Sequence, residues 1–228
     1  MLILVDSRIP GEAKEALSLH GEVIDFQTEG IVYEAVSGHP DLFFCKLDRL
    51  LFTAVNLPLH YQELLERSGM QFQCGKLPIG DQYPATAHYC AVVTDEFLIH
   101  RLDITDPQIL DSAVEKEKIF VAQGYTRCSL LPLNSRYFIS SDKGICRTLN
   151  GKGLNVLSVE NKKILLPGYA NGFFGGACGF NNGRVFIIGR LKYVPDGDRV
   201  RHFLEESGHE IIELADGPLF DGGGILFL

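Results

Sequence analysis

Four short stretches of the chain carry residues able to do chemistry. In "GHPDLFF" (38–44), His39 stands two positions before Asp41, and on an extended segment that spacing puts both side chains on one side. In "GYTRCS" (124–129), Cys128 follows Arg127, whose charge favours a thiolate if both face the same way. "ATAHYC" (85–90) holds His88 seven residues before Asp95, as Asp41 stands seven before Asp48. Asp221 precedes the glycine run of "DGGGILFL" (221–228). A thiolate, an imidazole and carboxylates together are the parts of nucleophilic attack with proton transfer on a cationic substrate. Each residue also has a plain structural reading. Cys128 reads as core packing, His39 and Asp41 as a proline-containing loop turn, His88 as a satisfied histidine at a strand start, and Asp221 as an Asp-Gly turn. Cys178, in the glycine-rich "GGACG", reads as a tight packing turn or a second candidate thiol; Cys45 and Cys90 read as core.

Other chemistries are absent from the pattern. No Gly-x4-Gly-Lys-Ser/Thr phosphate loop and no HExxH occurs, and His and Cys are too scattered for a standard zinc site. No metal and no cofactor is therefore expected. The net charge of −8 argues against a nucleic-acid surface, which needs a basic stripe. The start "MLILVDSRIPGE" is too short an apolar run for a signal peptide or a membrane span. Six cysteines without CxxC spacing fit small buried hydrophobes in a reducing compartment, so the expected location is the cytoplasm. The expected partner is a small-molecule substrate or ligand; the oligomeric state is not legible.

The elements that must position these residues repeat. Five β-rich runs recur at intervals of 40 to 48 residues: "LILVDS" (2–7), "LLFTAV" (50–55), "FLIHRL" (97–102), "YFISSD" (137–142) and "VFIIGR" (185–190). Each is followed by a helical stretch: 10–21, 58–69, 106–117, 142–153 and 195–208. Pro10, Pro58 and Pro107 suit first turns, and Gly21, Gly69 and Gly208 suit left-handed stops. A second strand follows each helix, at 22–26, 70–74, 118–124, 154–159 and 209–215. A third strand closes each unit, at 41–47, 88–93, 127–133, near 176–180, and 223–228. Such a βαββ unit cannot bury its own apolar face, but five in a ring can. The expectation is one domain over 1–228: an α/β propeller with pseudo-fivefold symmetry.

Five βαββ units in this length resemble the pentein fold of the guanidine-modifying enzymes. "QGYTRCSLL" (123–131), "ISSDKGI" (139–145), "GYANGFFGGACGF" (168–180) and "DGGGILFL" more closely resemble an uncharacterised bacterial branch of that fold. The resemblance implies deiminase, hydrolase or amidinotransferase-like chemistry: a cysteine attacks a guanidinium carbon, a histidine moves protons, and carboxylates hold the cation. On that reading Cys128 is the nucleophile and His39 or His88 the acid–base group, while Asp41, Arg127 and Asp221 bind substrate. The chain departs from the family pattern at one point. Those enzymes carry Gly-Gly-Gly, an apolar residue, His and Cys near the C-terminus; here Gly222–Gly224 and Ile225 lead to Leu226 and Phe227. The alternative is a non-catalytic relative that binds a small ligand or a protein in the substrate channel.

Overall fold

A computed structural model describes residues 1–228. The chain runs β1 (Leu2–Asp6), α1 (Gly11–Ser18), β2 (Glu22–Phe26), β3 (Phe44–Leu47), β4 (Leu50–Thr53), α2 (Leu59–Arg67) and β5 (Phe72–Cys74). It continues through β6 (Val92–Val93), β7 (Phe97–His100), α3 (Pro107–Ser112), β8 (Glu117–Phe120), α4 (Thr126–Ser129), β9 (Leu130–Pro132), β10 (Tyr137–Ser140), α5 (Lys143–Gly151) and β11 (Asn155–Ser158). It ends with β12 (Cys178–Asn181), β13 (Arg184–Ile187), α6 (Gly197–Glu206), β14 (Glu210–Glu213) and β15 (Leu226–Phe227). These make five three-stranded sheets: β15-β1-β2, β3-β4-β5, β6-β7-β8, β9-β10-β11 and β12-β13-β14.

All five sheets share one plan. The central strand pairs antiparallel with one neighbour and, across a helix, parallel with the other. Central strands are apolar nearly throughout and buried; Phe97–Ile99, for example, are all inside. That is how a strand covered on both faces reads. The parallel partners are half-exposed and carry charge, at the first and fourth positions in Glu22–Phe26 and Glu210–Glu213. The helices start as their sequences dictate. Pro10 and Pro58 cap α1 and α2, Pro107 opens α3, and the carboxylate of Asp142 accepts from Ile145 N at 2.8 Å to start α5. Gly69 (φ +72°) and Gly208 (φ +79°) adopt the left-handed stop; Gly21 does not, and it is confined instead by the Met1 carbonyl 2.7 Å from where a Cβ would stand.

The C-terminal run is a strand that pairs with the first one. Ile3 faces Phe227, Leu4 faces Leu226, and Leu2 and Leu228 exchange backbone hydrogen bonds of 3.1 and 2.9 Å. Phe227 packs on Phe186 with ring centroids 4.8 Å apart. Strands β3, β6, β9, β12 and β15 lie beside one another in that order, and Lys46 Nζ donates to the Phe227 carbonyl at 2.9 Å.

The third strands are shorter than their sequences suggest. A helical turn precedes four of them: Pro40–Leu42, Ala85–Ala87, Thr126–Ser129 and Gly175–Ala177. Three expectations change as a result. Cys128 lies in α4, not in the opening of a strand, so Arg127 and Cys128 do not alternate across a sheet. Asp41 lies in a turn started by Pro40, so only His39 is extended. His88 ends the Ala85–Ala87 turn, ahead of β6.

Candidate active site

Those helical turns carry the polar residues inward at one end of the inner strands. Asp41 comes from the turn before β3, Cys90 from the link before β6, Cys128 from α4, and Asp221 from the loop before β15. His39, Asp41, Cys128 and Asp221 are all buried. One donor atom each from His39, Asp41 and Cys128 lies within 4.8 Å of the other two. Cys128 Sγ donates to Asp41 Oδ2 at 2.7 Å, Cys90 Sγ approaches the same oxygen at 3.4 Å, and the two sulfurs are 4.0 Å apart.

Glycines make this convergence possible. At Gly176 a Cβ would overlap the Asp221 carboxylate. Gly223 (φ +69°) lies so close to His39 that an added Cβ would meet the His39 Cβ at 2.5 Å and Asp41 Oδ1 at 2.7 Å. The C-terminal glycine run therefore presses bare backbone onto the site, and Gly223 N donates to Asp221 Oδ1 at 3.1 Å. Phe173 N donates to the other carboxylate oxygen at 2.8 Å.

Two cavities reach different members of this cluster. A cup of about 210 Å³ is lined by His39, Cys128 and Asp221, with aromatic walls from Tyr33, Tyr125, Tyr169 and Phe173. A larger cavity of about 310 Å³ takes its walls from all five sheets and reaches Asp41, Arg127 and Gly223. Arg127 faces that second cavity and donates to the carbonyls of Gly175 and Cys178 at 2.8 and 3.1 Å.

Burial sets the protonation of the cluster. It raises the Asp41 carboxyl to about 6, against the pull of the Cys128 hydrogen bond, Arg127 and Cys90. It raises Asp221 as well, against the hydrogen bonds from the Phe173 and Gly223 amides. It lowers His39, so the imidazole is neutral near pH 7, although Asp221 and Asp6 favour its charged form. The Cys128 thiol sits well above the ordinary range, through the Cys90 hydrogen bond first, then burial and the Asp41 carboxylate. Resting Cys128 is a thiol, and the condition for Arg127 to favour a thiolate is not met, since the guanidinium bonds the Gly175 and Cys178 carbonyls instead.

The sequence reading thus placed four residues that the fold brings together, His39, Asp41, Cys128 and Asp221. It also named two that sit elsewhere. Arg127 lines the other cavity, and His88 lines neither; its Nδ1 is 2.6 Å from the Ile104 carbonyl. It missed Cys90 and Asp6. Asp6, fully buried, takes Arg8 in a two-pronged ion pair (2.9 and 2.6 Å) and lies 3.9 Å from His39 Nε2. The signal for Asp6 was present: a carboxylate ending an apolar strand, with an arginine two residues on.

Five three-stranded sheets on one plan are similar in fold to solved structures of the pentein type. Solved pentein structures match the whole-chain geometry at low identity. An agmatine deiminase of C. jejuni superimposes with a TM-score of 0.53 at 8% identity, over 85% of this chain and 70% of that one. The DDAH of Pseudomonas aeruginosa, a cysteine-to-serine variant complexed with citrulline, gives 0.52 at 10% identity over 95% of each chain. An amidinotransferase from Microseira wollei, of the saxitoxin biosynthetic pathway, gives 0.55 at 11% over 94% of this chain and 88% of that one. Within that fold the chain belongs to DUF6873, a family of unknown function, which it matches over residues 4–226. No curated protein matches it in sequence. No helix is long and apolar enough to cross a membrane.

Proposed function

We propose that the chain is a thiol-dependent enzyme of the amidinohydrolase or amidinotransferase type, acting on a small guanidine-like cation held in the cup. The observation that carries this reading is the buried meeting of His39, Asp41 and Cys128, with ligand-facing atoms left free. Three of the five buried side-chain polar atoms without a hydrogen-bond partner are His39 Nδ1, His39 Nε2 and Asp41 Oδ1. Buried polar groups are nearly always bonded, so such a cluster points to a bound ligand.

The chemistry follows from the contacts. A guanidinium between the aromatic walls, paired with Asp221, brings positive charge beside Cys128 and favours its thiolate. The thiol proton passes to Asp41, whose raised pKa suits it to accept and return a proton near neutral pH. Sγ bonds to the guanidinium carbon, the C–N bond to the departing amine breaks, and the proton leaves on that amine. The water or acceptor amine then adds to the thiouronium carbon while neutral His39 takes its proton, the C–S bond breaks, and that proton returns to the Cys128 sulfur. The cup lining has no lysine or arginine to hold a carboxylate. A guanidine without an α-carboxylate, of the agmatine kind, is therefore favoured over arginine.

In this reading residues 1–228 form one domain whose sheets close into a propeller. The cavity walled by all five sheets and the Lys46–Phe227 hydrogen bond support that closure. Six unpaired cysteines suit the reducing cytoplasm.

A second reading, binding without turnover, is favoured by Phe227 in the family's nucleophile position and by the protonated state of Cys128. A panel of guanidines assayed for ammonia, urea or amine release decides between them. Release that disappears in Cys128→Ser supports the enzyme. Calorimetric binding of a cation with no release by the wild type supports the second reading.

A further inference from the structure

Around Cys128, which lines the cup, the fold gathers more soft donors than the proposed reaction uses. Cys90 has no step in it, yet its sulfur lies 4.0 Å from Cys128 Sγ and 3.4 Å from Asp41 Oδ2. Tetrahedral zinc holds sulfur at about 2.3 Å and nitrogen or oxygen at about 2.0–2.2 Å, so its ligands stand roughly 3.3–3.8 Å from one another. The Cys90 contacts lie close to that span. Donor atoms of His39, Asp41 and Cys128 lie within 4.8 Å of one another, so the widest pair would close by about 1 Å on an ion. The Cys128–Asp41 pair, at 2.7 Å, opens when the proton they share is displaced.

A second observation is independent of these spacings. His39 and Asp41 are buried, and both ring nitrogens and Asp41 Oδ1 have no hydrogen-bond partner. A cation bonds such acceptors directly. The charges also balance: two thiolates, one carboxylate and a neutral imidazole around a divalent ion sum to −1, and the Arg127 guanidinium acting on Asp41 offsets it. In sequence these ligands span 90 residues with no zinc-site spacing; only the fold brings the turns before β3, β6 and β9 together.

We propose that His39, Asp41, Cys90 and Cys128 form a binding site for a thiophilic divalent cation of the zinc class. Binding displaces the two thiol protons to solvent and leaves the oxidation states unchanged. An ion held this way engages both Cys128 and His39, so it switches off the thiol chemistry. That consequence alone rests on the proposed function; the binding site does not.

The test uses full-length protein freed of metal by a chelator under reducing conditions and titrated with cobalt(II) alone. The expected result is about one equivalent bound, with thiolate-to-cobalt charge-transfer absorption and the intense visible bands of a tetrahedral site. Zinc should displace it. Both features should fall at least tenfold in Cys90→Ser and Cys128→Ser and persist in Cys146→Ser. Zinc-edge X-ray absorption of the wild type, which needs no variant to fold, should give two sulfur and two nitrogen or oxygen ligands. Absence of the charge-transfer band, a sulfur-free zinc shell, or bands that survive in both serine variants would overturn the site. Guanidine turnover is scored separately on metal-free and zinc-loaded protein. Turnover without a cobalt spectrum sinks the metal site and keeps the enzyme. A cobalt spectrum without turnover in either state keeps the site and sinks the enzyme.

Discussion

Two buried histidines make opposite use of the same side chain. His100, at the end of β7, bonds through both nitrogens, 2.7 Å from Thr105 Oγ1 and 2.8 Å from the Gly124 carbonyl. His39 is equally buried and bonds through neither. The same contrast holds for carboxylates. Asp106 accepts from Lys76 N, Leu77 N, Gln108 N and Tyr89 Oη, whereas Asp41 holds only thiols and keeps one oxygen free. Burial alone therefore does not mark function. A buried polar group whose bonds are complete is part of the scaffold; one whose bonds are incomplete is kept for a ligand.

The largest expected effect breaks the comparison on the His39 side. Cys128→Ser should lower guanidine turnover by at least ~10³-fold, because the attacking atom is lost. His39→Gln should cost roughly 10²-fold, the typical contribution of one proton-transfer group. His100→Gln should leave turnover per folded molecule within about twofold, since His100 lines neither cavity. Equal losses in the His39 and His100 variants would show that both residues act only through folding.

The next effect is in stability, and it belongs to His100. Burial lowers its pKa from 6.5 to about 4. Above pH 6.5 both the folded and the unfolded states carry a neutral ring, and its contribution is complete. As pH falls below 6.5 the unfolded chain binds a proton that the folded protein refuses until about pH 4. Stability should fall by about 3 kcal/mol across that window and no further below it. Denaturant midpoints of wild type and His100→Gln between pH 7.5 and 4 isolate this slope by difference. Parallel curves would mean that His100 is not held neutral by its site.

A smaller effect of opposite sign belongs to His39. Replacing a buried imidazole that makes no hydrogen bonds with leucine removes a desolvation cost and keeps most of the volume. His39→Leu should therefore raise stability by about 1–2 kcal/mol at pH 7 while abolishing turnover. Destabilisation of that size would indicate that the ring has partners in solution.

The period of the fold was legible because each unit repeats the same local chemistry: an apolar central strand, a proline or aspartate helix start, and in three units a left-handed glycine stop at Gly69, Gly153 or Gly208. All five helices and all five second strands lie where periodicity puts them. The third strands were less legible. Pro40, Pro84 and the glycines near 175 wind the chain into turns before the strand begins, and an apolar run such as "HYCAVV" does not reveal that. Four residues of the site followed from residue type, since His39, Asp41, Cys128 and Asp221 stand near equivalent unit boundaries. Cys90 did not, because an apolar neighbourhood hides a side chain whose role comes from a residue 49 positions away. Nor did sequence show the thiol's protonation: Arg127 adjoins Cys128 in the chain, but its guanidinium bonds the Gly175 and Cys178 carbonyls.

His88 supplies the smallest and most discriminating test, because it stands between the two extremes. It is half-buried, one ring nitrogen faces the Ile104 carbonyl, and it belongs to neither cavity. If completed bonding marks scaffold, then His88→Ala should behave as a weaker His100 and not as a weaker His39. The lost hydrogen bond is partly replaced by water at this depth, so stability should drop by about 0.5–1.5 kcal/mol. Turnover per folded molecule should stay within about twofold, and the pH profile of turnover should keep its shape. A shifted acidic or basic limb in His88→Ala, with folding intact, would place His88 in the proton path and move the reaction out of the cup.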